Sequence, residues 1–207
     1  AGQMFRFVHE MKTGDLVVVK PNIGWDRAPE LAANTNPEVV AAVVTMAREA
    51  GAREVRVFDN CCNNARRSYK NSGIAAAAEA AGAVVSHPAE WKYQPGDFPA
   101  GSLLADWPLC RDAVKCDVLI NVPIAKHHEL ARLTLGMKNL MGVCGGSRGE
   151  IHQQIDGKIV ELTRFFAPEL TIIDAWRILL RNGPQGGDPN DVEERRTVIA
   201  SADPILA

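Results

Sequence analysis

The sequence lacks most of the features that would assign a function at sight. It has five cysteines in 207 residues, Cys61, Cys62, Cys110, Cys116 and Cys144, and no two stand at CxxC spacing. That excludes a zinc ribbon and a ferredoxin-type cluster motif. Reduced, mostly buried thiols in a cytoplasmic protein are the expectation. No run approaches the ~20 apolar residues needed to span a bilayer. No signal peptide is visible, although the chain opens at Ala1 rather than Met, so an exported protein whose signal was removed is the alternative location. Neither sign of charge is in excess: 23 Lys plus Arg against 25 Asp plus Glu leaves a formal charge of −2. Such a chain has no global field to gather nucleic acid or an acidic membrane surface, and neither is an expected partner. There is no internal repeat and no low-complexity segment. There is also no P-loop, no GxGxxG after a strand and no HExxH, which argues against a nucleoside triphosphatase, a Rossmann dinucleotide enzyme and a zincin.

What is present is an ordinary globular composition, 46% hydrophobic and 23% charged, and an alternation of strand and helix signals. Leu16 to Lys20 is an unbroken β-branched run, as in a strand buried on both faces. Asn36 offers an N-cap, Pro37 the first helical position, and Val39, Val40, Val43, Val44 and Ala47 recur on one helical face before Gly51 ends the helix. Glu54 to Phe58 reads as the next strand. Ile74 to Ala81 reads as a helix, Ala83 to Ser86, Asp117 to Val122, Leu170 to Ile173 and Thr197 to Ala200 as strands, and Asp156 to Phe166 as a helix. The stretch 88–108, rich in Pro, Gly and Trp, reads as an irregular or β-hairpin excursion. The predicted architecture is a single α/β domain over 1–207, a mostly parallel sheet with helices on both faces, Rossmann-like and three-layered. Both ends read as truncated.

Polar residues gather where the predicted strands end. Lys20, Asn22 and Asp26 follow the first strand, and Asp59, Asn60, Asn63 and Asn64 the second. Asn121, Lys126, His127 and His128 follow the Asp117 strand, and Asp174 and Arg177 the Leu170 strand. Parallel strands put their carboxyl ends on one edge, where ligands bind in open α/β sheets. The Gly-rich segment from Thr134 to His152 adds Lys138, Asn139, Arg148 and His152 as donors beside backbone amides that can hold an anion. Asn182 to Gly187, with Gly183, suits a lid. His127, His128 and His152 with Asp59 or Asp174 are the candidate metal donors, without a familiar ligand spacing. His9 and His87 read as surface residues.

Together these residues resemble the bacterial and archaeal domain-of-unknown-function family 362. The matching segments are Val19-Lys20-Pro21-Asn22, Asp59-Asn60, Asn121 to His128, Leu135 to Gly142, and Asn182-Gly183-Pro184 with Gly186-Gly187. The resemblance runs from about Gly14 to Pro204. Some relatives carry a ferredoxin-like cysteine cluster beyond this domain, so an iron–sulfur cofactor is implied by resemblance only, and this chain shows no such cluster. The resemblance marks Lys20, Asn22, Asp59, Lys126, His127, Lys138 and Asn139 as positions to watch.

The reading is a domain that binds a small anionic ligand, with an enzyme the favoured form. Lys126 and His127 would transfer protons, and Asp59 would orient them. Lys20, Asn22, Asn60, His128, Lys138, Asn139, His152, Asp174 and Gly183 would bind the ligand. The alternatives are a redox module, holding a cluster through Cys61, Cys62, Cys116 or Cys144 or working with an iron–sulfur partner, and a non-catalytic interaction domain. Metal content and oligomeric state stay open.

Overall fold

The computed structural model describes residues 11–205, so His9 lies outside the described residues. In chain order the strands are β1 (Leu16–Pro21), β2 (Glu54–Val57), β3 (Val84–Val85), β4 (Tyr93–Pro95), β5 (Pro108–Cys110), β6 (Val118–Val122), β7 (Ile124–His128), β8 (Arg132–Thr134), β9 (Leu170–Leu179) and β10 (Val192–Ser201). The helices are α1 (Pro37–Glu49), α2 (Ala65–Asn71), α3 (Ile74–Ala80), α4 (Arg111–Val114), α5 (Gly136–Asn139) and α6 (Ile155–Phe166).

The main sheet runs β3-β2-β1-β6-β9-β7-β8, with β10 on the other side of β9. The pairs from β3 to β9 and the β7–β9 pair are parallel, whereas β8 and β10 join antiparallel. The chain is an α/β fold with a mostly parallel sheet. Alternation along β1 builds the two faces. Val17 and Val19 enter one core with Val55, Val57 and Ile120 under α1 and α3. Val18 enters the other with Leu119, Leu140 and Leu162 of α6. Each fully buried valine here contributes ~1.5 kcal/mol or more. The Asn36 side chain caps α1 by accepting from the Glu38 N–H at 3.0 Å, and Pro37 opens the helix as its spacing predicts.

Four differences from the sequence reading matter for the site. Pro123 interrupts the Asp117 strand, but the chain resumes as β7, so Lys126, His127 and His128 stand on a strand rather than in a loop. The Leu170 strand runs on past Ile173 to Leu179, which leaves Asp174 in mid-strand. The Gly-rich segment is wound into α5 and 3-10 turns at Leu140–Val143 and Arg148–His152, with Leu140, Val143 and Ile151 buried beneath it. The strand expected at Thr197 starts at Val192 and is antiparallel. The excursion over 88–108 carries β4, which pairs antiparallel with β5 at its far end. Among the described residues no helix is long and apolar enough to cross a membrane.

Candidate functional site

The carboxyl ends of β1 and β2, the β7–β8 hairpin and the Gly-rich segment enclose one cavity of about 770 Å³. Its floor is an ion pair. Lys20 Nζ lies 2.7 Å from Asp59 Oδ1, and both side chains are essentially inaccessible. Asp59 Oδ2 accepts the Ile23 N–H at 2.6 Å, while Oδ1 takes no partner other than the ammonium among the described residues. Burial pulls the Lys20 pKa below its usual range and the Asp59 charge opposes that shift. Gly142 lies directly on the pair: a Cβ there would overlap Asp59 Oδ1 and crowd Lys20 Nζ. The Asn60 N–H holds the Gly142 carbonyl at 3.0 Å, and Asn60 Nδ2 donates to Cys144 O at 2.8 Å. The exit of β2 thereby clips the Gly-rich segment over the floor.

Asn139 connects the pair to a second buried lysine. Its Oδ1 accepts from Lys20 Nζ at 3.2 Å and from Asn22 Nδ2 at 3.1 Å, and its Nδ2 donates to Lys20 O and Asn121 Oδ1. Asn22 Oδ1 in turn accepts from Lys126 Nζ at 3.2 Å. Lys126 also donates to Ala33 O at 2.6 Å and Pro184 O at 3.1 Å, so all three of its protons have acceptors. None of those acceptors carries a formal charge, and burial brings its pKa down to about 7.

The upper part of the cavity carries Lys138, Arg148 and two imidazoles. His152 Nδ1 faces the Gly149 carbonyl at 3.1 Å, so that nitrogen bears the proton and Nε2 is free to accept from Lys138 Nζ at 3.4 Å. Burial, with Arg148 adding to it, lowers Lys138 to about 8. His128 Nδ1 receives the backbone N–H groups of Leu130 and Ala131, each at 3.2 Å. Its ring stacks on His152 with centroids 5.5 Å apart, and burial with Lys138 nearby lowers its pKa to about 3. Arg148 donates to Asn60 O and to the Sγ of the exposed Cys62.

Lys20, Asn22, Asp59, Asn60, Lys126, His128, Lys138, Asn139 and His152 thus line one cavity. Three expected residues do not. His127 lies on the opposite face of β7, because strand side chains alternate, and its Nδ1 accepts the Gly183 N–H at 3.1 Å. Gly183 packs so closely on the His127 carbonyl that a Cβ would overlap it; its neighbour Pro184 reaches the cavity instead. Asp174 is buried in β9, where its carboxylate accepts the Asn36 and Trp176 N–H groups, so it anchors the start of α1. Thr134 enters the sequence reading only as the first residue of the Gly-rich segment, with no role of its own. Thr134 sits opposite Lys126 in the β7–β8 register, a relation visible only once β7 is known to be a strand. Among the described residues no three His, Cys, Asp or Glu side chains gather as a metal donor set, which leaves the His–Asp and cysteine proposals without a constellation to support them. Burial pushes Cys61, Cys116 and Cys144 up to about 12, as for packed thiols.

A curated relative, the thylakoid-associated protein sll1697 of Synechocystis sp., is 31% identical over 199 residues, and the match spans 92% of this chain. The chain covers 60% of that relative's length. Among solved structures the fold matches a lactate racemase apoprotein from Thermoanaerobacterium thermosaccharolyticum with a TM-score of 0.50 and 8% identity, over 98% of this chain and 52% of that one. The model of a family described as a domain of unknown function, DUF362, matches residues 17–207, and with the site's segments all inside that span the chain belongs to this family.

Proposed function

We propose that the domain binds a small anionic metabolite, a carboxylate or phosphate, in the cavity over the strand carboxyl ends, and acts on it by proton transfer. One observation carries the reading. Lys126, Lys138 and Arg148 all line the cavity, and none has a carboxylate within ion-pair distance among the described residues. Unneutralised cations in a concave, partly desolvated site focus field toward an entering anion. Lys126, with a pKa near 7, is matched to give or take a proton near neutrality. The Lys20–Asp59 pair has no net charge and serves as the floor. His127 faces away from the cavity and is left out of the proton-transfer set. The convergence of Lys20, Asp59 and Lys126 on one cavity also favours this reading over a non-catalytic interaction domain. The likeness to a lactate racemase is one of fold, and lactate is an anion of the class proposed. Five free thiols support a reducing, cytoplasmic compartment.

The test is calorimetric titration of the purified chain with a panel of phosphorylated and carboxylated metabolites, repeated with Lys126→Ala and Lys138→Ala. Each lost charge contact should weaken the best ligand by about tenfold or more. Absence of binding across the panel, or unchanged affinity in both variants, refutes the assignment.

A further inference from the structure

The two histidines of the cavity differ from ordinary imidazoles in how their protons are fixed. His128 Nδ1 has two backbone N–H groups aimed at it, from Leu130 and Ala131 in the turn between β7 and β8. A protonated Nδ1 would set donor against donor twice. The proton of the neutral ring is therefore on Nε2, on the opposite edge of the imidazole. The ring is 6% exposed and lines the cavity. Lys138, His152, Lys126 and His127 oppose its protonation, while Glu129 (the next residue), Glu150 and the Lys20-paired Asp59 are carboxylates lining the same cavity. Lys138, His152 and Lys126 share its cavity and His127 its strand, so protonating His128 would add a cation beside Lys138 and Lys126. His152 is held in the other tautomer, Nδ1–H to Gly149 O, and accepts from Lys138. On the same side of the hairpin the Thr134 hydroxyl is buried, 3% exposed, lines the cavity and has no hydrogen-bond partner among the described residues. Lys126 and His128 are two apart on β7, and Thr134 is the cross-strand neighbour of Lys126, so all three stand on one face.

Resting on the anion-binding reading, we propose that His128 is a fixed neutral donor whose Nε2–H, with the Thr134 hydroxyl, holds an uncharged oxygen of the ligand. The ligand class is then narrower than an anion: a carboxylate that carries an oxo or hydroxyl oxygen beside it. The cations take the carboxylate and the neutral donors take the second oxygen. A neutral imidazole donor has a catalytic advantage here. It stabilises negative charge that develops on a carbonyl oxygen without surrendering its own proton, while Lys126 moves the proton at carbon. His128 is in this account a positioning donor, not an acid.

Two measurements test it. The first needs no ligand: long-range proton–nitrogen spectra of the labelled chain across pH ~5 to ~8 should show His128 as a single Nε2–H tautomer that does not titrate. An Nδ1–H signal, or an imidazolium forming with an ordinary midpoint, overturns the tautomer assignment. The second compares 2-oxoglutarate with glutarate, which differ only in the oxo oxygen. The wild-type chain should prefer the oxo acid by about fivefold, the range of one or two neutral hydrogen bonds. His128→Asn, whose Oδ1 can still accept from the Leu130 and Ala131 amides, should bind both diacids alike; a loss of fold would appear separately in its circular dichroism. If that variant is unfolded, Thr134→Val should reduce the preference instead. Equal wild-type affinities, no binding of either diacid, or a preference that survives the variants overturns the ligand assignment. If the diacids fail while a phosphate from the metabolite panel binds, this inference falls and the anion-binding reading stands.

Discussion

Replacing Asp59 by Asn should be among the most damaging isosteric changes available to this domain, and the structure gives its size. Lys20 is completely buried, and Asp59 Oδ1 at 2.7 Å is its one ionic partner among the described residues. In the variant the Ile23 N–H can still be accepted by the amide oxygen, which leaves the amide nitrogen facing the ammonium. The remaining acceptors of Lys20 are Pro21 O and Asn139 Oδ1, both uncharged. Removing one partner of a buried pair leaves a charge uncompensated and costs about 3–5 kcal/mol. For a domain of this length that corresponds to a fall in Tm of roughly 6–20 °C. The pH dependence gives a second handle. Lys20 already has a folded pKa below 10.5, and losing Asp59 lowers it further. A base with a depressed folded pKa destabilises most where it is charged in both states. The deficit is therefore full below the folded pKa and shrinks as pH rises toward the unfolded value. Urea unfolding of wild type and variant, at neutral pH and near pH ~10, measures both quantities. A loss under ~1 kcal/mol, or a deficit that does not change with pH, would refute the reasoning. The double variant Lys20→Met with Asp59→Leu removes both charges and should recover much of the loss.

Three other outcomes follow from the same geometry. Gly142→Ala should cost about 2–3 kcal/mol in thermal or chemical unfolding, because its Cβ meets the buried ion pair and α5 leaves little room to shift; a neutral result would mean the Gly-rich segment is loosely held. Cys62, exposed and beside Arg148, should be alkylated by anionic iodoacetate faster, relative to neutral iodoacetamide, than a free thiol is, and added salt should erase the preference; mass spectrometry of the modified peptide reads this out. Anion affinity should fall as pH rises through about 7, where Lys126 loses its charge, and calorimetry in Lys126→Met should show that step gone.

Much of the scaffold was legible from local signals. Asn36-Pro37 and the valines behind it set α1, and the unbroken Leu16 run set β1, because capping chemistry and burial on both faces leave direct marks on composition. The convergence of Lys20, Asp59 and Lys126 followed from parallel topology. The failures share a cause. Pro123 resembles a strand end, so the sequence places Lys126, His127 and His128 beyond the strand rather than on one. A segment beyond a strand end has no facing rule, so the sequence places both His127 and His128 at the site. On a strand they cannot both be there: one faces the cavity and the other Gly183. Asp174 misleads in the same way, since an acidic residue directly after Ile172-Ile173 suggests an exit, whereas here two backbone amides satisfy it inside a ten-residue strand. The pairing of Thr134 with Lys126 depended on that missed hairpin.

The three acceptors of Lys126 have a consequence for the order in which the molecule assembles. They belong to segments 104, 93 and 58 residues away along the chain. Contacts that close such long loops contribute only after the intervening chain is already ordered, so they form late in folding. Bringing all three to one ammonium requires β1, the turn before α1 and the loop after β9 to be in place together. The cavity is thus assembled in the closing stage of folding, and substitutions at Lys126 should speed unfolding while leaving the folding rate nearly unchanged.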